Sequence, residues 1–176
     1  MPMSEFVAAL GLLVSSIAGQ PEPLHQLEST VPPLEICAVL QTAYTAAIKR
    51  DTPAYPTDVR PSTRRLDDLE KFVPNYRVRM AMSEKEFDEL AGRESIYSVD
   101  QFKPTCDWKG QARPTNDDEG HHTFVTFTNP IYSKNARLAL VEVSFREEGI
   151  FAYGLICTVR STRGIWSAQC LQSWIT

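Results

Sequence analysis

The chain concentrates carboxylates and imidazoles at one place, between Asn116 and His122. Carboxylate oxygens and imidazole nitrogens bind divalent transition metals, so Asp117, His121 and His122 are the candidate metal ligands. The two histidines are adjacent, however, and lack the spacing that puts two imidazoles on one face of a helix. The sequence therefore favours a solvated acidic turn, with a metal site as the alternative. No cofactor is expected.

Nucleophilic catalysis has little support in the sequence. It contains neither the G-x-S-x-G turn that exposes a catalytic serine nor a glycine-rich loop of the type that holds phosphates. Ser133 is the candidate nucleophile, but its neighbours Tyr132, Lys134 and Asn135 are typical of a turn in which serine bonds nearby backbone. No catalytic residue is assigned, and the sequence favours a protein that is not an enzyme.

Two other features are candidate binding surfaces. Residues 60–79 carry a local excess of arginine with aromatic residues between, and Arg64 and Arg65 are the candidates for contact with an anionic partner. The alternative is a solvated basic face. Trp108 lies in an irregular segment beside Cys106, where an exposed indole would mark a binding surface. Its alternative is a ring packed over the edge of a sheet.

Composition excludes some classes of function. The chain has 176 residues, 43% of them hydrophobic, which is enough for one domain with its own core. Its 18 basic and 22 acidic side chains give a net charge of −4, unlike the basic excess of nucleic-acid-binding proteins. No apolar run reaches the roughly 18 residues that a membrane-spanning helix needs. We expect a protein or small-ligand partner, no nucleic acid and no transmembrane segment.

Apolar periodicity predicts the elements that position these residues. A helix is predicted over Leu34–Arg50, where apolar residues recur every three or four positions. Residues Tyr76–Met82 alternate as a half-buried strand does. The pair Ser83 and Glu86 forms a capping box, which predicts a short helix over Glu84–Ala91. The stretches 51–63 and 93–121 carry few regular signals and are predicted to be loops.

The last third of the chain predicts an antiparallel meander of four strands: Thr123–Thr128, Arg137–Arg146, Phe151–Arg160 and Ile165–Ile175. Side-chain alternation predicts one apolar face, on which Trp166, Cys170 and Trp174 lie together. The Leu34–Arg50 helix is the expected cover of that face. The predicted fold class is α+β, with helices packed on one face of an antiparallel sheet.

Four cysteines allow two disulfides with three connectivities. Residues 163–164 are predicted to form a two-residue hairpin loop, which places Cys157 directly opposite Cys170 at a distance that allows bonding. Cys37 with Cys106 is then left by elimination. If the protein is cytosolic, the alternative is four reduced thiols.

The N-terminus is typical of an export signal. The apolar run Phe6–Val14 is followed by small residues at Ser16 and Ala18, two positions apart. The start of the chain lacks the usual positive charge, and the alternative is a structural helix capped by Ser4. The predicted organisation is a signal peptide over 1–18, a proline-rich linker over 19–33 and a single α+β domain over 34–176.

The C-terminal half has a recognisable order of motifs: Phe127 to Ser133, Ala139-Leu140-Val141, a strand with Gly154, Gly164-Ile165-Trp166 and a final Trp174-Ile175-Thr176. This order resembles that of a group of uncharacterised bacterial secreted or envelope proteins. The resemblance implies a fold and a compartment, but no catalytic residues. The chain is also similar, less closely, to nuclear-transport-factor-2-like (NTF2-like) folds, which often hold a pocket between helix and sheet.

We therefore expect an exported, disulfide-stabilised binding or interaction module, in the periplasm or outside the cell. One alternative is a small envelope hydrolase or other enzyme, with a pocket between helix and sheet and polar residues from the 93–122 loop. Another is a cytoplasmic partner or immunity-type protein whose first helix is structural. A concave pocket with a desolvated histidine or carboxylate would favour the enzyme, whereas a flat apolar patch would favour the binding module.

Overall fold

The computed structural model describes residues 33–66, 79–80, 82–113, 123–147 and 151–176. The predicted signal peptide and nearly all of the linker lie outside these residues. So do the middle of the arginine-rich stretch and the predicted metal-binding turn. Within the described residues, no helix is long and apolar enough to cross a membrane.

Three helices are described: α1 (Pro33–Ala47), α2 (Glu84–Ala91) and α3 (Glu94–Tyr97). The helix predicted over Leu34–Arg50 is confirmed as α1, and α2 has the predicted bounds. The capping box at the start of α2 is present: the Glu86 N–H donates to the Ser83 hydroxyl at 3.3 Å, and the Ser83 N–H donates to the Glu86 carboxylate at 3.0 Å. These two bonds satisfy backbone donors that the first turn of a helix leaves free.

The strands are β1 (Ala54–Pro56), β2 (Gln111–Arg113), β3 (Thr123–Phe127), β4 (Ile131–Tyr132), β5 (Leu138–Glu147), β6 (Ala152–Thr162) and β7 (Ile165–Ile175). β1 and β2 form a small parallel pair. The others form a five-stranded antiparallel sheet in the order β3-β5-β6-β7, with β4 beside β5. The α+β class and the antiparallel meander are confirmed.

The β6–β7 hairpin sets the register of the sheet. Its two loop residues, Arg163 and Gly164, have φ values of 52° and 81°, which the tight turn between two twisted strands requires. Cys157 pairs with Cys170 in this register. The Ala43 carbonyl oxygen of α1 lies 3.6 Å from the Cys170 sulfur, so α1 covers this face as predicted.

The opposite face of the sheet is also buried. Leu140 and Ile156 are each less than 5% exposed there. The Gln169 side chain donates to the Arg79 carbonyl at 3.3 Å, and Arg160 donates to Glu86 of α2 at 3.2 Å. The sheet therefore lies between α1 on one side and the 79–91 segment on the other.

One predicted core residue lies on the other face. β7 carries a bulge at Ser173, between the pairs Gly154–Trp174 and Leu155–Gln172. The extra residue reverses the alternation of side chains beyond it. The prediction that Trp174 shares the α1 face with Trp166 is therefore wrong, whereas Trp166 lies beside α1 and packs against the core.

The strand predicted over Tyr76–Met82 does not form at its described positions. Arg79 belongs to a helical turn and Met80 to a turn after it. Met80 and Met82 are buried, 3% and 8% exposed. These two methionines are thus buried although neither belongs to a strand. The loops predicted over 51–63 and 93–121 contain short elements, β1 in the first and α3 and β2 in the second.

Candidate functional site

A cavity of about 270 Å³ opens between the C-terminal end of α1 and the β3 side of the sheet. We call it the aromatic pocket. Its lining includes three aromatic residues and two arginines: Tyr44, Phe145, Tyr153, Arg50 and Arg113. The other lining residues are Ile48, Pro56, Thr123 and Val125. Among the described residues that line the pocket, none is a carboxylate.

The aromatic wall runs from the helix to the sheet. Phe145 and Tyr153 are a cross-strand pair of β5 and β6, and their rings stack with centroids 4.9 Å apart. Tyr44, in the last turns of α1, stacks on Phe145 with centroids 6.1 Å apart. Because each ring stacks on the next, the three rings form one continuous aromatic surface.

Arg113 reaches the pocket from β2, which pairs with β1 beside the end of α1. Its Nη2 donates to the Gln111 side chain at 3.1 Å. Its Nε is buried and finds no hydrogen-bond acceptor within the described part of the chain. A buried donor without an acceptor costs about 1–3 kcal/mol of stability. An oxygen atom of a bound ligand that accepted a hydrogen bond from this Nε would remove that cost.

Burial raises the pKa of both tyrosines of the pocket. Desolvation raises the pKa of the Tyr44 hydroxyl to about 12, although the positive charge of Arg113 acts in the opposite direction. Desolvation also raises the pKa of Tyr153, helped by the negative charge of Glu147. Tyrosine hydroxyls are protonated at neutral pH in any case, and the raised pKa values extend this to more alkaline solution, so both hydroxyls can donate hydrogen bonds. The charge of the pocket lining comes from its arginines.

A second group of polar residues is buried on the sheet face opposite α1. Glu142 of β5 is 1% exposed. Its Oε1 accepts from Arg64 Nε at 2.7 Å, Trp174 Nε1 at 3.0 Å and Ser144 Oγ at 3.2 Å, and its Oε2 accepts from Ser173 Oγ at 3.0 Å. We call these five residues the Glu142 cluster. The carboxylate is both paired with a cation and fully hydrogen-bonded, as a buried charge must be.

Backbone features assemble this cluster. The bulge at Ser173 brings Trp174 over β6, where Gly154 leaves room for the ring. A Cβ atom at Gly154 would lie 2.2 Å from the indole Nε1. The Arg64 guanidinium lies 4.9 Å from the Trp174 ring centre, in cation–π contact. Because Arg64 of the 62–66 loop and Trp174 of β7 donate to the same carboxylate of β5, the cluster fastens this loop to the sheet.

The three predicted binding residues have different surroundings. Arg64 belongs to the Glu142 cluster, and its side chain is 32% exposed. Arg65 points elsewhere and forms an exposed ion pair with Asp100 at 3.4 Å. Trp108 stacks on Phe127 with centroids 5.9 Å apart and packs against the core, as its packed alternative predicts. None of the three lines the aromatic pocket.

Ser133 orders a turn. Its hydroxyl donates to the Asn135 side chain at 2.9 Å and accepts from the Leu138 N–H at 3.1 Å, between β4 and β5. The candidate metal ligands lie outside the described residues: Asp117, His121 and His122. In the described ranges, no group of three or more histidine, cysteine, aspartate or glutamate side chains is arranged to hold a metal ion.

The cysteines form two pairs at disulfide distance: Cys157 with Cys170, as the hairpin register predicts, and Cys37 with Cys106, as elimination predicts. The sulfur atoms of Cys157 and Cys170 lie 2.05 Å apart, and those of Cys37 and Cys106 lie 2.07 Å apart. The second pair ties α1 to the segment that leads into β2. It thereby holds Arg113 on the same side of the molecule as Tyr44.

Sequence reasoning missed both the pocket and the Glu142 cluster. The aromatic pair Phe145 and Tyr153 could have been predicted, because the predicted meander already puts both residues on one face of the sheet. A usable signal for Glu142 was its position on the same side of β5 as Leu138 and Leu140, where an acidic residue is unexpected. No local signal marked Arg113.

The fold and the pocket define an α+β protein with a ligand-sized cavity between a helix and an antiparallel sheet. Comparison of the chain with known protein families, curated proteins and solved structures finds no match. The resemblance to bacterial envelope proteins and the likeness to NTF2-like folds therefore stay predictions. The function is inferred from the pocket's own geometry.

Proposed function

We propose that this protein is an exported binding module that takes a small aromatic carboxylate in the aromatic pocket. The observation that carries the proposal is the convergence of three aromatic rings and two arginines on one cavity. The rings offer apolar, stackable area, and a guanidinium is the side chain best suited to a carboxylate, which it binds through paired hydrogen bonds. A cavity between helix and sheet is a common place for such ligands.

Size and charge narrow the ligand class. A volume of about 270 Å³ lies just below the roughly 300–1,000 Å³ of ligand pockets for drug-sized compounds, which favours a smaller compound with one ring. The described lining residues carry positive charge on Arg50 and Arg113 and no negative charge, which favours an anion, although the nearby Glu147 acts against it. The buried Nε of Arg113 also supplies a donor that a ligand oxygen would satisfy.

Two cysteine pairs at disulfide distance support export. Such bonds persist in the periplasm or outside the cell and are rare in the cytosol. The signal peptide predicted over 1–18 supports the same compartment. We infer a periplasmic or secreted bacterial protein, in line with the resemblance of its C-terminal half.

The binding experiment uses the oxidised full chain and sodium benzoate, with benzamide as the neutral compound of equal shape. Titration calorimetry is expected to show saturable binding of benzoate and much weaker binding of benzamide. Arg113→Gln should weaken benzoate binding by about tenfold or more, the usual effect of a charge-assisted hydrogen bond.

Arg137→Gln is the matched control, because Arg137 is exposed and directly precedes the start of β5, whereas Phe145 lies near the other end of that strand. It should leave the affinity unchanged. Equal binding of benzoate and benzamide, equal effects of the two substitutions, or no binding of either compound would contradict the proposed ligand class.

Export has its own test, the intact mass of the protein recovered from its host without reductant. We expect a chain that begins at Gly19 and lacks the four hydrogens that two disulfides remove. A full-length chain with free thiols would contradict export.

A further inference from the structure

A second cavity, of about 480 Å³, is lined by α1, by the segment that follows it and by the start of β7. We call it the polar groove. Its volume is within the roughly 300–1,000 Å³ of small-molecule pockets. The apolar lining residues include three alanines and Trp166 of β7. Among the described residues that line the groove, two are charged, Arg50 and Asp51.

The uncharged polar side chains that α1 contributes to the groove use their donors within the protein. The hydroxyls of Thr42 and Thr45 donate to carbonyl oxygens one turn earlier in the helix, at 2.7 and 2.8 Å. The Gln41 side chain donates to the carbonyls of Ala54, at 3.4 Å, and Lys109. A ligand in the groove therefore depends on the two charged residues for strong polar contacts.

The end of α1 fixes the backbone at these charges. Lys49 has a φ of 53°, the left-handed conformation in which many helices end. Its N–H donates to the Ala46 carbonyl and the Arg50 N–H donates to the Thr45 carbonyl, each at 3.0 Å, which is the Schellman pattern of a helix end. The Ala54 N–H donates to the Thr45 hydroxyl at 3.1 Å. The segment 50–54 is thus attached to α1 at both ends.

Arg50 and Asp51 present opposite charges from consecutive positions. Both residues are exposed, and neither forms an ion pair within the described part of the chain. A guanidinium binds a carboxylate through charge-assisted hydrogen bonds, and a carboxylate binds an ammonium group in the same way. A free α-amino acid carries these two groups one carbon atom apart, so it can face two consecutive side chains at once.

We propose that the polar groove binds a free α-amino acid with an apolar side chain, represented by leucine. The ligand's carboxylate pairs with Arg50 and its ammonium group pairs with Asp51. Its side chain packs beside Trp166 and Ala168, where apolar area is removed from water. This site is separate from the aromatic pocket, although Arg50 lines both cavities.

Titration calorimetry of the oxidised full chain with L-leucine tests the proposal. Two analogues with the same side chain are the matched compounds: leucinamide lacks the carboxylate, and N-acetylleucine lacks the ammonium group. We expect saturable binding of leucine. Each analogue should bind at least about tenfold more weakly, because each has lost one charge-assisted contact.

Asp51→Asn is the informative variant, because Asp51 lines the polar groove and not the aromatic pocket. It should weaken leucine binding by about tenfold or more and leave the affinity for N-acetylleucine unchanged, since that analogue has no ammonium group to lose. Asp88→Asn is the matched control. Asp88 is exposed on α2, away from the groove, and its substitution should leave leucine binding unchanged.

Arg113→Gln separates this proposal from that for the aromatic pocket. Arg113 does not line the polar groove, so the variant should weaken benzoate binding and leave leucine binding unchanged. Three outcomes would overturn the amino-acid site: no binding of leucine, equal binding of leucine and both analogues, or equal effects of Asp51→Asn and Asp88→Asn. Because benzoate is absent from these titrations, each of them leaves the proposal for the aromatic pocket standing.

Discussion

Trp174 donates a hydrogen bond from its indole Nε1 to Oε1 of the buried Glu142, over 3.0 Å, on the sheet face opposite the Cys157–Cys170 pair. The bond links the last strand of the chain to the central strand β5. Arg64 Nε donates to the same carboxylate oxygen at 2.7 Å, so the 62–66 loop is attached to the sheet as well. One carboxylate thus connects three distant segments, and this arrangement leads to the first two predictions.

Replacement of Glu142 by alanine should be strongly destabilising. It leaves the Arg64 cation and the indole N–H without their shared acceptor, and the loss of one partner of a buried ion pair costs about 3–5 kcal/mol. Urea unfolding of the oxidised protein measures the change. Asp107→Asn, at an exposed loop position, is the control and should stay within about 0.5 kcal/mol of the parent. Similar losses in both variants would show that the carboxylate is not a stabilising centre.

Gly154→Ala should destabilise through Trp174. The added Cβ would lie 2.2 Å from the indole Nε1, so the ring must move and its bond to Glu142 is lost. We expect a cost of about 1–3 kcal/mol, typical of overpacking. The same glycine substitution made with Trp174→Ala should cost clearly less, since the clash is then absent. A double-mutant cycle from urea unfolding measures this coupling, and additivity of the two substitutions would contradict the mechanism.

Glu86 should make the protein sensitive to acid. A hydrogen bond from Arg160, ahead of the bonds from Ser83, lowers its pKa from 4.5 to about 2. Because the folded pKa lies below the unfolded one, this contribution is complete above pH 4.5 and is lost as the pH falls toward 2. The free energy of unfolding of Glu86→Gln should therefore depend less on pH in this window. Asp88→Asn, exposed on the same helix, is the control, and an unchanged slope in Glu86→Gln would disprove the link.

The two cysteine pairs should differ in their effects. Cys37 and Cys106 are 69 residues apart and Cys157 and Cys170 are 13 apart, so loop entropy alone predicts losses of about 4 and about 3 kcal/mol when each pair is replaced by alanine. Urea unfolding of the two double variants checks the order. Loss of the first pair should also weaken benzoate binding, because it frees the segment that leads to Arg113. Benzoate affinity unaffected by that loss would argue against a positioning role for Cys37 and Cys106.

Much of the fold could be predicted from neighbouring residues. The capping box fixed the bounds of α2, because Ser83 and Glu86 bond within one turn of helix. The loop at Arg163 and Gly164 set the register that places Cys157 opposite Cys170. In both cases the interacting residues are close along the chain, so the local sequence is enough to predict the local structure.

The errors have a common cause. A single bulge at Ser173 reversed the face of Trp174, and periodicity cannot reveal one extra residue in a strand. The alternation over Tyr76–Met82 predicted a strand, but burial at alternate positions does not require one. The candidate site could not be predicted, because its residues come from elements that are far apart along the chain and meet only in the folded protein.

By itself the sequence determined the α+β class, the helix that covers the meander, the hairpin and the order of the strands. These follow from periodicity, capping and turn chemistry, which act between near neighbours. Only the tertiary structure decided that Arg113 meets Tyr44 and Phe145 in one pocket, and that Arg64 and Trp174 share Glu142. Those residues lie far apart along the chain. Their approach depends on packing and register over the entire sheet, which no local pattern encodes.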